Sequence, residues 1–148
     1  MSKVAVIFIG IPASGKSTYF QRYFNTGFVH INLDTLRTRK KEQALLEKSL
    51  QEELSFAVDN TNPTREDRQR YIAPAKAAGY RVDGYFLQST LKDSIARNEG
   101  REGKARVPTK AIAAISNKLE MPSKGEGFDR LFFVRQVDGD FVTEERAQ

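Results

Sequence analysis

The chain has 148 residues, 39% of them hydrophobic and 29% charged, with 24 Lys and Arg against 19 Asp and Glu for a net charge of +5. That length suits one domain around a single core, spanning 1–148, and the lack of any long apolar run excludes a membrane span. With no cysteine and one histidine, a disulfide framework, a thiolate metal site and a multi-histidine zinc site are excluded, and the expected location is cytoplasmic. The basic excess has two open readings: the ordinary surface of a nucleotide enzyme, or affinity for a polyanion such as nucleic acid.

Val4 to Ile9 is a continuous apolar, β-branched-rich run, the pattern of a strand buried on both faces. No small-residue cleavage site follows it, so it is not a leader. Lys16 to about Phe24 reads as a helix and Phe28 to Ile31 as a short strand. Asp34 has the chemistry of a helix N-cap. Residues 41–54 carry Leu46, Leu50 and Leu54 at helical spacing, a packing stripe. Phe56-Ala57-Val58 is a third strand ending at Asp59. Thr64 to Asp67 resembles a capping box, opening a helix that Gly79 closes. Arg81 to Leu87 is a fourth strand and Leu91 to about Asn98 a helix. Gly100 to Val107 is glycine-rich and basic. Another helix, with Ile112, Ile115 and Leu119 on one face, follows Pro108 and stops at Pro122. Leu131 to Val134 is a last strand, and the tail after it is polar. The alternation implies an α/β fold: a P-loop NTPase-type parallel sheet of about four to five strands flanked by helices, with a helical, arginine-rich lid. Ligands in such sheets sit at the carboxyl ends of the strands. That rule gathers the segments after Ile9, Ile31 and Val58.

Gly10-Ile11-Pro12-Ala13-Ser14-Gly15-Lys16-Ser17 matches the Walker A pattern G-x-x-x-x-G-K-[ST] at every fixed position, between a buried strand and a helix. Gly10 and Gly15 let the backbone curl so that its N–H groups face phosphate oxygens. The helix adds its positive end. Lys16 reaches the β- and γ-phosphates, Ser17 offers Mg²⁺ a hard oxygen, and Thr18 lies within reach of an α-phosphate. The GTPase base-reading motif N-K-x-D does not occur.

Asp34 and Arg37, three apart after the second strand, share one face of a helix start. A carboxylate there is placed to take a proton from an attacking hydroxyl, and an arginine to clamp a substrate phosphate. The structural alternative is a cap and a solvated cation. Asp59, at a strand end beside the phosphate loop, is placed to hold the water shell of Mg²⁺, against the alternative of an Asx-turn. Arg97 and Arg101, four apart at the start of the glycine-rich segment, are lid arginines facing the same way that neutralise a transferring phosphoryl group. The alternative for Arg97 is a surface pair with Asp93. His30 reads as a structural histidine, and Tyr19, Phe20 and Phe24 as core.

Gly10 to Thr18, Asn32-Leu-Asp-Thr-Leu-Arg37, Val58-Asp-Asn-Thr-Asn-Pro63 with Arg70-Tyr71-Ile72, Arg97-Asn98 with Arg101, and Gly125 to Phe128 together resemble the kinase domain of polynucleotide 5′-hydroxyl kinases of the phage and animal DNA-repair type. The resemblance implies ATP and Mg²⁺ held by Lys16 and Ser17, with Asp59 organising the phosphate and metal site. It implies Asp34 as general base, Arg37 on the acceptor's adjacent phosphate, Arg101 on the donor phosphates, and Arg97 supporting it or flanking the adenine. Family members usually carry a phosphatase domain, for which 148 residues leave no length, so 3′-phosphatase activity is not expected. The wider superfamily of small P-loop kinases shares most of these motifs. The expected reaction is therefore transfer of the γ-phosphoryl of ATP to a hydroxyl, with the 5′-hydroxyl of DNA or RNA as the expected acceptor. The alternatives are a small hydroxylated metabolite or nucleoside as acceptor, or a module that binds ATP with little transfer.

Overall fold

A computed structural model describes residues 3–103 and 106–147. Six strands form one sheet in the order β2-β3-β1-β4-β5-β6, where β1 is Val4–Ile9, β2 Val29–Ile31, β3 Phe56–Val58, β4 Arg81–Leu87, β5 Arg130–Val137 and β6 Asp140–Arg146. The first five strands are parallel and β6 runs antiparallel to β5. The helices are α1 Lys16–Tyr23, α2 Leu33–Leu36, α3 Arg39–Gln51, α4 Arg65–Ala77, α5 Leu91–Glu99 and α6 Thr109–Lys118. No helix among the described residues is long and apolar enough to cross a membrane.

The apolar run of β1 is buried along its whole length because it is the central strand and both its faces are covered. Its period-2 alternation divides the core. Ala5, Ile7 and Ile9 join Leu46, Phe56, Tyr71, Ile72 and Leu131 on one face. Val4, Val6 and Phe8 meet Tyr19 and Phe20 of α1 on the other. Leu46 is buried and Leu50 half-buried in this packing, while Leu54 lies beyond the end of α3 and is exposed. The helix after β3 opens on the expected capping box, in which Thr64 accepts from the Asp67 amide and Asp67 accepts from that of Thr64.

The tail read as polar forms β6, so the sheet has six strands rather than about four to five. Asp138 and Gly139 both take positive φ, 52° and 78°, the conformation of a two-residue primed hairpin turn. As an edge strand, β6 needs few apolar residues. Phe141 packs on Tyr19, Thr143 bonds the Tyr19 hydroxyl at 2.8 Å, and Glu145 pairs with Arg130 across the hairpin.

Strand order places the crevice. After β1 the chain runs out to β2, returns to insert β3 beside β1, then crosses to β4 on the other side. The carboxyl end of β1 is thus where connections leave in opposite directions, the position at which open α/β sheets hold ligands.

Candidate active site

The phosphate loop rises from β1 and ends in α1. Gly15 caps α1 at φ 102°, a left-handed conformation that glycine adopts without cost. A Cβ at Gly15 would also run into the Gln136 amide, and one at Gly10 would lie 2.6 Å from Ser14 Oγ. Lys16 curls back, its ammonium donating to the carbonyls of Gly10 and Ile11, each at 3.0 Å. Burial lowers the Lys16 pKa to about 8; Asp59 and Asp34 oppose the fall and Arg101 adds to it. The Gly10 N–H donates to the Thr61 carbonyl at 3.0 Å. That bond joins the loop to the segment after β3. Ile11 and Ser14 are buried beneath the loop, Thr18 is exposed on α1, and Pro12, Ala13, Gly15, Lys16 and Ser17 line a cavity of about 1130 Å³.

Asp59 leaves β3 directly under this loop. Its Oδ2 accepts from Ser17 Oγ at 2.7 Å and meets His30 Nε2 at 2.8 Å. Burial raises the Asp59 pKa, but the bonds from His30 and Ser17 and the charge of Lys16 outweigh it and hold the carboxyl below its usual value. A hydroxyl and an ionised carboxylate converging beside a phosphate loop are the hard oxygen donors Mg²⁺ prefers, so these two residues fit that ion. His30 stacks on Phe20 with ring centroids 3.9 Å apart and faces the cavity.

Residues of α2 also line the cavity. The N-cap of this helix is Asn32 rather than Asp34: Asn32 Oδ1 accepts from the Thr35 amide, and Asn32 Nδ2 donates to the Asp59 carbonyl, both at 3.0 Å. Asp34 is thereby released from capping. It lies exposed in the first turn and lines the cavity. Arg37 follows α2 at φ 74° and lines the cavity as well. Asn60 makes the second tether, its Oδ1 accepting from the Leu33 amide at 2.9 Å. Asn60 is in turn held by Glu42 Oε2 at 2.7 Å and the Tyr71 hydroxyl at 3.2 Å. Sequence reasoning missed Asn32, Asn60 and Glu42 as site supports. The visible signal was the pair of asparagines at the ends of two strands.

Arg101 lies on the cavity beside Lys16, whose charge it perturbs. Arg97 does not face the same way, because α5 ends at Glu99 and the four-residue spacing no longer maps onto one helix face. Its guanidinium bonds the Ala13 carbonyl at 3.1 Å and Ser89 Oγ at 2.9 Å, bracing the phosphate loop. Buried Asn98 closes the lid segment by accepting from the Val107 amide at 2.8 Å. Lys104 and Ala105, inside the segment read as a lid, lie outside the described residues.

Comparison with known proteins agrees with this geometry. A family model described as an AAA domain matches residues 6–122. The bifunctional polynucleotide phosphatase/kinase of Schizosaccharomyces pombe is 31% identical over 129 residues, covering 83% of this chain and 31% of the relative. The chain thus spans about a third of that relative's length. Among solved structures, Kti12 of Chaetomium thermophilum in complex with ADP-AlF3 superposes with a TM-score of 0.68 at 15% identity, covering 90% of each chain. A gluconokinase from Sinorhizobium meliloti 1021 superposes at 0.63 and 17% identity, covering 88% of this chain and 81% of its own. Both show the shared fold. With phosphate loop, sheet order and family match in agreement, the chain belongs to the AAA-domain family and has a P-loop fold.

Proposed function

We propose that this chain transfers the γ-phosphoryl group of ATP to the 5′-hydroxyl of a nucleic acid strand. The observation that carries the reading is the cavity. Lys16, Ser17, Asp34 and Arg37 all line it. Its volume of about 1130 Å³ exceeds that of a pocket for one small ligand, so donor and acceptor fit together. The polynucleotide acceptor is supported by the S. pombe relative and the net positive charge.

In this reading the loop orients the triphosphate from Gly10 to Thr18, with Pro12 and Ala13 on the cavity side and Arg97 bracing Ala13 from behind. Asp34 takes the proton of the 5′-hydroxyl as its oxygen attacks the γ-phosphorus. The bond from that phosphorus to the β,γ-bridging oxygen breaks, and ADP leaves with those electrons. Lys16 and Arg101 stabilise the charge spreading over the phosphoryl oxygens. Arg37 binds the acceptor's first phosphate. Mg²⁺ held through Ser17 and Asp59 supplies charge neutralisation at the β- and γ-phosphates when bound.

The test is incubation with γ-labelled ATP and a 5′-hydroxyl oligonucleotide, in which label is expected on the oligonucleotide. Asp34→Asn should retain ATP binding and lose about a hundredfold or more of the transfer rate, the range of a positioned general base. Lys16→Ala should weaken binding and transfer together. Label appearing only on sugars or nucleosides overturns the polynucleotide acceptor, ATP binding without transfer to any acceptor overturns the enzyme, and full turnover by Asp34→Asn removes the general base.

A further inference from the structure

A second hollow of about 330 Å³ adjoins the main cavity, and the two share Arg39 and Arg70 as walls. Lys40, Glu42 and Gln43 complete it. Arg39 and Lys40 are the first two residues of α3, and Arg70 lies on the facing stretch of α4. The one acid in the hollow is already satisfied. Glu42 is buried, and its carboxylate accepts from Arg39 at 2.8 Å, from Tyr71 at 2.9 Å and from Asn60 at 2.7 Å. Lys40 and Arg70 are exposed and enter no ion pair among the described residues.

This grouping costs stability in the absence of a ligand. Three cations surround the hollow, and Glu42 balances only one of them, Arg39. Two of them occupy the first turn of a helix, where the macrodipole already places positive charge. The arrangement is favourable once an anion enters. The main cavity, which Arg37 lines, meets the hollow at Arg39 and Arg70, so an anionic chain whose first phosphate rests on Arg37 can continue past Arg39 to Lys40 and Arg70. None of the five lining residues is aromatic, so there is no ring on which a base stacks.

We propose that this hollow is a track for the second and following phosphates of the acceptor strand, read through its backbone and independent of base sequence. The inference rests on the polynucleotide reading above and adds to it a preference for acceptors longer than one nucleotide.

The experiment compares kcat/KM for two acceptors, a nucleoside 3′-monophosphate and a 5′-hydroxyl hexanucleotide, in the wild-type protein and in the double variant Lys40→Glu/Arg70→Glu. The wild type should favour the hexanucleotide by about tenfold or more, and charge reversal should collapse that ratio. The salt dependence for the hexanucleotide should become shallower by about 0.7 for each phosphate the variant no longer holds. The effect should lie in KM for the hexanucleotide and be the same for sequences of different base composition. Both substitutions are at exposed positions, and a thermal melt checks that the variant is folded. An unchanged ratio and salt slope overturn the track while leaving the kinase reading intact. Equal wild-type use of the two acceptors does the same. No transfer to either acceptor overturns the polynucleotide reading itself and the track with it.

Discussion

Lys16 is bound to its own loop, with its ammonium resting on the carbonyls of Gly10 and Ile11. Its pKa falls to about 8 from the ordinary 10.5. Between those values the unfolded chain holds more protons than the folded one, so this group makes stability rise with pH across that window and lowers it below pH 8. A triphosphate reverses the sign, since an adjacent anion favours the ammonium. ATP binding at about pH 9 should therefore take up a proton, and affinity should fall as pH rises further. Calorimetry in two buffers of different ionisation heat measures that uptake. Lys16→Met should show none, and equal uptake by the variant assigns it elsewhere.

Among the elements, α2 has the most consequence for its size. One turn of helix has little stability of its own. It is fixed by the Asn32 bond to the Asp59 carbonyl and the Leu33 bond to Asn60 Oδ1. Asn60→Ala removes the second tether and one donor to buried Glu42, a loss of about 1–3 kcal/mol. The expected result is a lower kcat with ATP affinity retained, and little further loss when Asn60→Ala is added to Asp34→Asn. Additive losses in the double variant would mean that Asn60 acts independently of α2 placement. These tethers were illegible in the sequence because each joins residues 27 apart through one side chain. Asp34 matched a cap by type, and only the fold shows that Asn32 has taken that place. The hairpin was legible in part, since Asp138-Gly139 is a primed-turn signal that the surrounding charge concealed. By contrast β1, β3, β4 and the capped start of α4 follow from apolar runs and local hydrogen bonding that need no tertiary partner to be recognised.

For the whole molecule, the sheet brings the strand ends together and a buried ion pair holds the surrounding loops in register. Arg68 and Glu126 are fully buried and joined at 2.8 and 3.0 Å, and the Arg68 guanidinium also donates to the carbonyls of Asn62 and Pro63 at 3.0 Å and to that of Glu120. The pair therefore clamps the turn that follows Asp59 to the segment preceding β5. Glu126→Ala strands a guanidinium in the core and should cost about 3–5 kcal/mol in denaturant unfolding. A loss under about 1 kcal/mol would show that the backbone carbonyls alone satisfy Arg68.

The stack of Phe20 on His30 turns the chain's only histidine into a built-in reporter. A single imidazole gives a proton magnetic resonance spectrum with no other histidine to confuse it, and the ring current of Phe20 displaces those signals from their free-peptide positions. Because that ring touches Asp59 and looks onto the cavity, titrating nucleotide, magnesium and oligonucleotide in turn should move one pair of peaks and reveal, without any label, the order in which the reactants arrive.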